Sequence, residues 1–149
     1  VGLQKEKIPA VPIGEGNAEA HLVAGKLKDA KGPVDSLTGI HIMDVKMKKG
    51  SSFKYFINTE HNVLFYVVKG KVNVNDSEVR MHQLVEFDHD HERISVSAYE
   101  DSLLLLGHAA PLNEPVVARG PFVMNTMAEI KQAYIDYQNG KMGNPDSFF

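Results

Sequence analysis

The sequence predicts an all-β fold, a β-sandwich or barrel, followed by a single C-terminal α-helix. Short apolar or alternating segments recur along residues 18–107 with turn residues between them, whereas residues 126–142 carry apolar residues at helical spacing. Strands of this length and spacing are typical of sandwiches and barrels. Nothing repeats at a fixed period, and no low-complexity linker interrupts the chain. We therefore expect one β-domain, which suits a length of 149 residues.

The individual strands follow in chain order. Residues 18–27 and 39–47 are predicted as the first two strands. An unbroken apolar run at 63–68 predicts a strand buried on both faces, and the alternation at 72–74 predicts a half-buried strand after it. The segments that complete the set are 83–88, 93–98 and 102–107.

The helix is predicted from its boundary signals. Thr126 and Glu129 have the spacing of a capping box, and Gly140 supplies a C-terminal stop. Its apolar stripe is expected to dock on the β-domain rather than on a separate partner, because short helices owe most of their stability to such packing. The residues of the stripe are Met127, Ile130, Ala133, Tyr134 and Tyr137.

Composition excludes several classes of function. The chain has no cysteine, which rules out disulfides, thiolate metal sites, iron–sulfur clusters and cysteine nucleophiles. A net charge of −3 argues against direct nucleic-acid binding. No apolar run reaches the roughly 20 residues of a membrane span, and the first residues lack the apolar segment of a signal peptide. We expect a cytoplasmic protein that contacts neither nucleic acid nor membrane directly.

The stretch FDHDHERISV contains the most conspicuous candidate for metal chemistry. His89 and His91 would point the same way on a β-strand, and paired imidazoles bind first-row metals. Their acidic neighbours and the adjoining turn residues favour an exposed hairpin turn instead. We therefore expect His89 and His91 to form at most a weak surface metal site.

The other five histidines have ordinary predicted roles. His21 and His41 fall in predicted strands and are expected to be half-buried and hydrogen-bonded. His61 precedes the buried strand and is expected to line the barrel mouth without a partner. His82 and His108 are predicted in loops.

Two segments resemble the pirin family. Residues 111–143, PLNEPVVARGPFVMNTMAEIKQAYIDYQNGKMG, resemble the C-terminal segment of pirins, and GPFVMNT at 120–126 is the most specific part. VAGKLKDAKGP at 23–33 resembles the opening of a pirin's second half. The resemblance covers the chain from about residue 18, with a local departure at GHAAPL (107–112).

The resemblance implies a cupin-type β-sandwich, or jelly-roll barrel, the second of the two barrels of a pirin. It divides the chain into an N-terminal extended arm (1–17), a cupin barrel (18–125), a helix packed on the barrel (126–142) and a tail (143–149). It also places the family's iron, held by three histidines and a glutamate, in a first barrel outside this sequence. We therefore expect no cofactor in this chain.

The first cupin motif can be laid over this sequence with its spacing intact. Counting from Gly50 to Gly70, its His, His and Glu positions fall on Phe56, Asn58 and Val63. Phenylalanine and valine cannot coordinate a metal, and an asparagine amide is a poor ligand for iron. The expected result is an apolar plug at the metal position.

The second cupin motif aligns less well. Laid from His82, it places its ligand on Arg93, a permanent cation that cannot bind a metal. Together the two alignments predict that this barrel holds no metal.

Three functions remain as hypotheses. The first is a structural or protein-interaction module of a pirin-type regulator, whose partner is a metal-bearing cupin domain or a second copy. The resemblance implies protein partners, and a nuclear co-regulator role for animal pirins. The second is part of an iron-dependent quercetin 2,3-dioxygenase-like enzyme, with the metal in the other barrel, so that catalysis by this chain alone is not expected. The third is a metal-free cupin that binds a small molecule near Phe56, Asn58 and His61, which a packed interior would argue against.

Overall fold

The computed structural model describes residues 2–88 and 92–143. Within them the chain is mainly β-strand, with a short 3-10 turn at Lys5–Lys7 and one α-helix, α1 (Met127–Gln138). The strands are β1 (Ala10–Pro12), β2 (Ala18–Ala24), β3 (Lys26–Leu27), β4 (Ala30–Lys31), β5 (His41–Met47), β6 (Ser52–Phe56), β7 (Asn62–Lys69), β8 (Lys71–Val74), β9 (Ser77–Arg80), β10 (Leu84–Val85), β11 (Arg93–Ala98), β12 (Ser102–Ala109), β13 (Val117–Arg119) and β14 (Phe122–Met124).

Two antiparallel sheets form the predicted cupin-type sandwich. The larger has six strands in the order β1-β2-β5-β12-β7-β10, and the smaller has four in the order β6-β11-β8-β9. Their inward residues alternate with outward ones along each strand and make one hydrophobic core. Its largest fully buried side chains include Phe65, Leu22, Leu104, Leu106, Val45, Val67 and Val72.

The predicted burial of residues 63–68 on both faces is wrong. In β7, Phe65 and Val67 point into the core and are fully buried, whereas Leu64 and Val68 point outward and are 42% and 37% exposed. The strand lies between β12 and β10 in an antiparallel sheet, and only one face of such a sheet meets the core. The apolar run therefore continues onto the outer surface.

The other strand predictions differ in accuracy. β11 has the predicted bounds, and β12 contains the predicted segment 102–107. The predicted strand at 83–88 is reduced to the two residues of β10. β6 and β9 were not predicted, although β6 carries part of the inner wall described below.

The chain divides into two compact units, one ending at Pro111 and the other beginning at Leu112. The second unit consists of the β13–β14 hairpin and α1. In it the Phe122 and Tyr134 rings meet edge to face at 4.9 Å, and the Tyr134 hydroxyl donates to the Arg119 carbonyl. No helix among the described residues is long and apolar enough to span a membrane.

The capping box predicted for α1 is confirmed. The Glu129 amide donates to the Thr126 hydroxyl at 3.2 Å, and the Thr126 amide donates to the Glu129 carboxylate at 2.7 Å. The buried stripe is narrower than predicted, because Ile130 and Ala133 are buried while Met127 and Tyr137 are exposed. Packing of this helix on the barrel stays a prediction.

Candidate functional site

The inner wall of the barrel lacks Phe56 and Asn58, two of the three residues that the first motif alignment placed there. On β6, Phe53 is buried and Tyr55 is half-buried, both pointing inward, while Phe56 points outward and is 70% exposed. Just beyond β6, Ile57 is buried and Asn58 is exposed. The predicted plug by Phe56 is therefore wrong, and the residue that fills the wall there is Ile57.

The second alignment has the same one-residue displacement. Arg93 is exposed at the start of β11, and its neighbour Ile94 is buried. Side chains on a strand alternate between faces, so an alignment that is off by one residue reverses the direction of every predicted side chain. Of the four motif positions, Val63 alone packs against the core.

A small cavity lies beside this wall. It has a volume of about 20 Å³ and is lined in part by Ile57, Asn58, His61 and Val63. That volume holds about one water molecule. Phe56 instead lines a separate outer concavity, so the three residues predicted to form a ligand pocket are not brought together.

The residues of the wall do not fit an iron site. Ile57, Val63 and Ile94 supply no donor atom, and among the described residues that line the cavity only His61 and Asp88 carry an imidazole or a carboxylate. A redox-active iron requires three or four converging nitrogen and oxygen ligands. Within residues 2–88 and 92–143, no group of three or more His, Asp or Glu side chains is arranged to hold a metal ion.

A cluster of three histidines and a tyrosine occupies the adjacent end of the barrel. His61 Nδ1 lies 2.9 Å from His108 Nδ1, and His108 Nε2 lies 3.2 Å from the Tyr55 hydroxyl. His41 stacks on His108 with ring centroids 4.6 Å apart. Gly25 makes room for His41, because a Cβ at Gly25 would lie 2.6 Å from the imidazole.

This cluster corrects two predictions. His108 lies in β12, not in a loop, and His61 has a partner. The signal was present in the sequence, since His108 continues the inward alternation of Leu104 and Leu106. Only the register, which sets His108 opposite both His41 and Val63, brings the cluster together.

Burial favours the neutral forms of His108, His41 and Tyr55. Desolvation, with a smaller contribution from His41 and His61, lowers the pKa of His108 to about 4. Desolvation and the neighbouring His61 also lower the pKa of His41, whose buried Nδ1 has no hydrogen-bond partner among the described residues. Burial raises the pKa of Tyr55. The cavity that adjoins the cluster admits nothing larger than about one water.

The remaining histidines lie elsewhere. His21 bridges Asp44 at 2.6 Å and Glu19 at 3.0 Å on the outer side of the six-stranded sheet. His82 lies in an exposed turn with a φ of 68°. His89 and His91 fall outside the described residues, so the prediction of a weak surface metal site stays a prediction.

The outward side of the six-stranded sheet carries a group of apolar side chains, called here the apolar outer face. Leu84 is 62% exposed and lies opposite Tyr66 of β7, which in turn lies opposite Leu105 of β12. Leu64 and Val68 flank Tyr66 on the same side of β7. The face consists of Leu64, Tyr66, Val68, Leu84, Leu103 and Leu105.

Known proteins share this fold and sequence pattern. A family model described as the Pirin C-terminal cupin domain matches residues 42–143. A Pseudomonas aeruginosa protein named "Putative quercetin 2,3-dioxygenase" is 32% identical over 90% of this chain and 47% of its own length. A pirin of Arabidopsis thaliana is 34% identical over 89% of the chain and 49% of its own length.

A solved structure agrees with these similarities. The crystal structure of a quercetin 2,3-dioxygenase from Acinetobacter baumannii superposes with a TM-score of 0.88 at 32% identity, covering 95% of this chain and 50% of that protein. The chain thus spans about half the length of the relatives it matches.

Proposed function

This chain belongs to the pirin family through its C-terminal cupin domain, and on that premise we propose that it is a metal-free structural and protein-interaction module. Its proposed partner is a metal-bearing cupin domain, with a second copy of the chain taking that place when the domain is missing. The proposal includes a cytoplasmic location, or a nuclear one in an animal pirin. Its contacts are with protein rather than nucleic acid or membrane.

The observation that carries the proposal is the apolar outer face. Leu64, Val68 and Leu84 are exposed side by side on two hydrogen-bonded strands. Contiguous apolar patches on a protein surface usually mark an interaction site. The relatives are about twice as long as this chain, so a second domain of similar size is the partner that the proposal selects.

The inner wall supports the metal-free part of the proposal. Ile57 and Ile94 are buried and Val63 packs against the core, and none of these three side chains carries an atom that can bind a metal. In this proposal the filled barrel provides its partner with a rigid binding surface and does not itself bind a metal or catalyse a reaction.

A role in catalysis is the second candidate, favoured by relatives named as quercetin 2,3-dioxygenases. In that case the reaction would belong to the metal-bearing half, and this chain would complete the enzyme as a domain. A metal-free small-molecule site inside the barrel finds no support in a cavity of about 20 Å³.

Self-association of the isolated chain tests the interaction surface. Without its partner domain, the chain is expected to dimerise through the apolar outer face, as seen by sedimentation velocity over a concentration series. Leu64→Glu or Leu84→Glu places a charge in that face and should give monomers. Leu37→Glu is the matched control, because Leu37 is fully exposed in a turn that belongs to none of the strands of the face.

Three results would contradict this proposal. The first is a chain that stays monomeric at every concentration, and the second is a Leu37→Glu variant that dissociates as readily as Leu64→Glu. The third is stoichiometric iron retained by the chain after anaerobic incubation with ferrous iron and dialysis, measured by elemental analysis.

A further inference from the structure

The outer side of the four-stranded sheet forms a concavity that the proposed function does not use. Its volume is about 800 Å³, within the range typical of small-molecule sites. Outward residues of β6 and β11 line it, including Lys54, Phe56, Arg93 and Ser95. It lies on the opposite sheet from the apolar outer face.

Two cations in this concavity have no carboxylate within ion-pair distance among the residues that the structure describes. Lys54 and Arg93 make no ion pair with any residue in the described part of the chain. By contrast, Lys71 and Arg80 of the same sheet share the carboxylate of Glu78 at 2.7 and 2.8 Å. Lys54 and Arg93 therefore lack the ion-pair partner that Lys71 and Arg80 have on the same sheet. Such cations favour the binding of an external anion.

The strand register places the two cations next to an exposed aromatic ring. Phe56 lies directly opposite Arg93, and Lys54 lies opposite Ser95, so that Lys54 and Arg93 are diagonal neighbours on one face. One carboxylate could therefore accept hydrogen bonds from both cations. The Phe56 ring, 70% exposed, lies beside them and presents an apolar face.

From this juxtaposition we propose that the concavity binds a small organic monoanion, a carboxylate attached to an aromatic or other flat apolar group. Lys54 and Arg93 hold the carboxylate, the Ser95 hydroxyl is a further donor, and Phe56 stacks on the flat group. Asp76 and Glu92 also line the concavity. Their negative charges select against a ligand with two or more anionic groups, which is why the proposal specifies a monoanion.

Titration of the isotope-labelled chain with phenylacetate, followed by amide chemical shifts, tests this proposal. Acetate, benzyl alcohol and the dianion phthalate are the comparison probes. Phenylacetate is expected to shift amides of β6 and β11 and to bind more tightly than all three. Arg93→Ala or Lys54→Ala should each weaken it about tenfold, the usual cost of losing a hydrogen bond to a charged group.

Matched variants separate this site from general surface charge. Arg80→Ala removes an exposed but paired cation from the same sheet and should leave affinity within about twofold. Phe56→Ala should remove the preference for phenylacetate over acetate while leaving weak acetate binding. All of these side chains are exposed, and thermal unfolding of each variant verifies that the fold is retained.

Several results would overturn the proposal. These are the absence of amide shifts in β6 and β11, binding of benzyl alcohol as tightly as phenylacetate, tighter binding of phthalate, or an Arg80→Ala variant that loses as much affinity as Arg93→Ala. The dimerisation experiment does not depend on these outcomes, because its substitutions lie on the other sheet.

Discussion

His108 is expected to make the stability of the chain depend on pH in the mildly acidic range. Its pKa falls from 6.5 to about 4 in the folded protein, mainly through burial. Between these values the unfolded chain binds more protons than the folded one, so the free energy of unfolding decreases as pH falls from about 6.5 to about 4. Above that range the imidazole is neutral in both states, and below it the imidazole is charged in both.

The size of this effect follows from the depressed pKa. One pKa unit corresponds to about 1.4 kcal/mol, which sets an upper limit of about 3 kcal/mol for His108. The side chain remains partly accessible to solvent, which screens the effect and reduces the expected contribution to about 1–2 kcal/mol. His41 acts in the same direction, since its pKa is also lowered.

Substitution His108→Gln isolates this contribution. Glutamine does not titrate, yet its amide can still hydrogen-bond Tyr55 and His61. Urea unfolding at a series of pH values between about 4 and 7 should show a loss of stability towards acid that is about 1–2 kcal/mol smaller than in the wild type. His82→Asn is the control, because His82 is an exposed turn residue whose positive φ asparagine tolerates. An unchanged pH dependence in His108→Gln, or an equal change in His82→Asn, would refute the reasoning.

Two further predictions concern backbone features. Thr126→Ala removes the capping box of α1 and should lower the free energy of unfolding by about 1 kcal/mol, whereas Thr126→Ser should not. Urea unfolding followed by the helical circular dichroism signal measures the difference. Equal stability of the two variants would contradict the role of the cap. Gly25→Ala places a methyl group 2.6 Å from the His41 ring at a φ of 93°, whereas Gly39 has a φ of 69° and a methyl group there meets no atom within 4 Å. Gly25→Ala should therefore be the more destabilising in thermal unfolding, by about 1 kcal/mol or more, and similar melting temperatures would show that the close approach to His41 is not tight.

Local signals predicted the elements whose periodicity is strong. The capping box at Thr126 and Glu129 and the strand at 93–98 were both found where the sequence placed them. The short strands β6 and β9 were missed, since their side-chain patterns are weak and pairing with β11 and β8 defines them. The family resemblance, carried by residues 111–143, is borne out by the match to residues 42–143.

The candidate site was less predictable. A motif alignment places residues at a spacing, but it does not decide which side of a strand faces inward. The alignment chose Phe56 and Asn58, whereas the adjacent residues Tyr55 and Ile57 face inward. It chose Arg93, whereas the adjacent Ile94 faces inward. A displacement of one residue is a small error in an alignment. In a sheet it turns each side chain of the strand to the opposite face, because side chains alternate.

The sequence alone determined the fold class, the C-terminal helix with its cap, the lack of cysteine chemistry and the family. These follow from local periodicity, composition and a contiguous motif. Only the tertiary structure decided that Leu64 and Val68 face outward, that His41, His61 and His108 meet, and that Lys54 and Arg93 share a concavity with Phe56. Each of these depends on the pairing register of strands distant in the chain, and register is fixed by packing across the whole barrel rather than by any one segment.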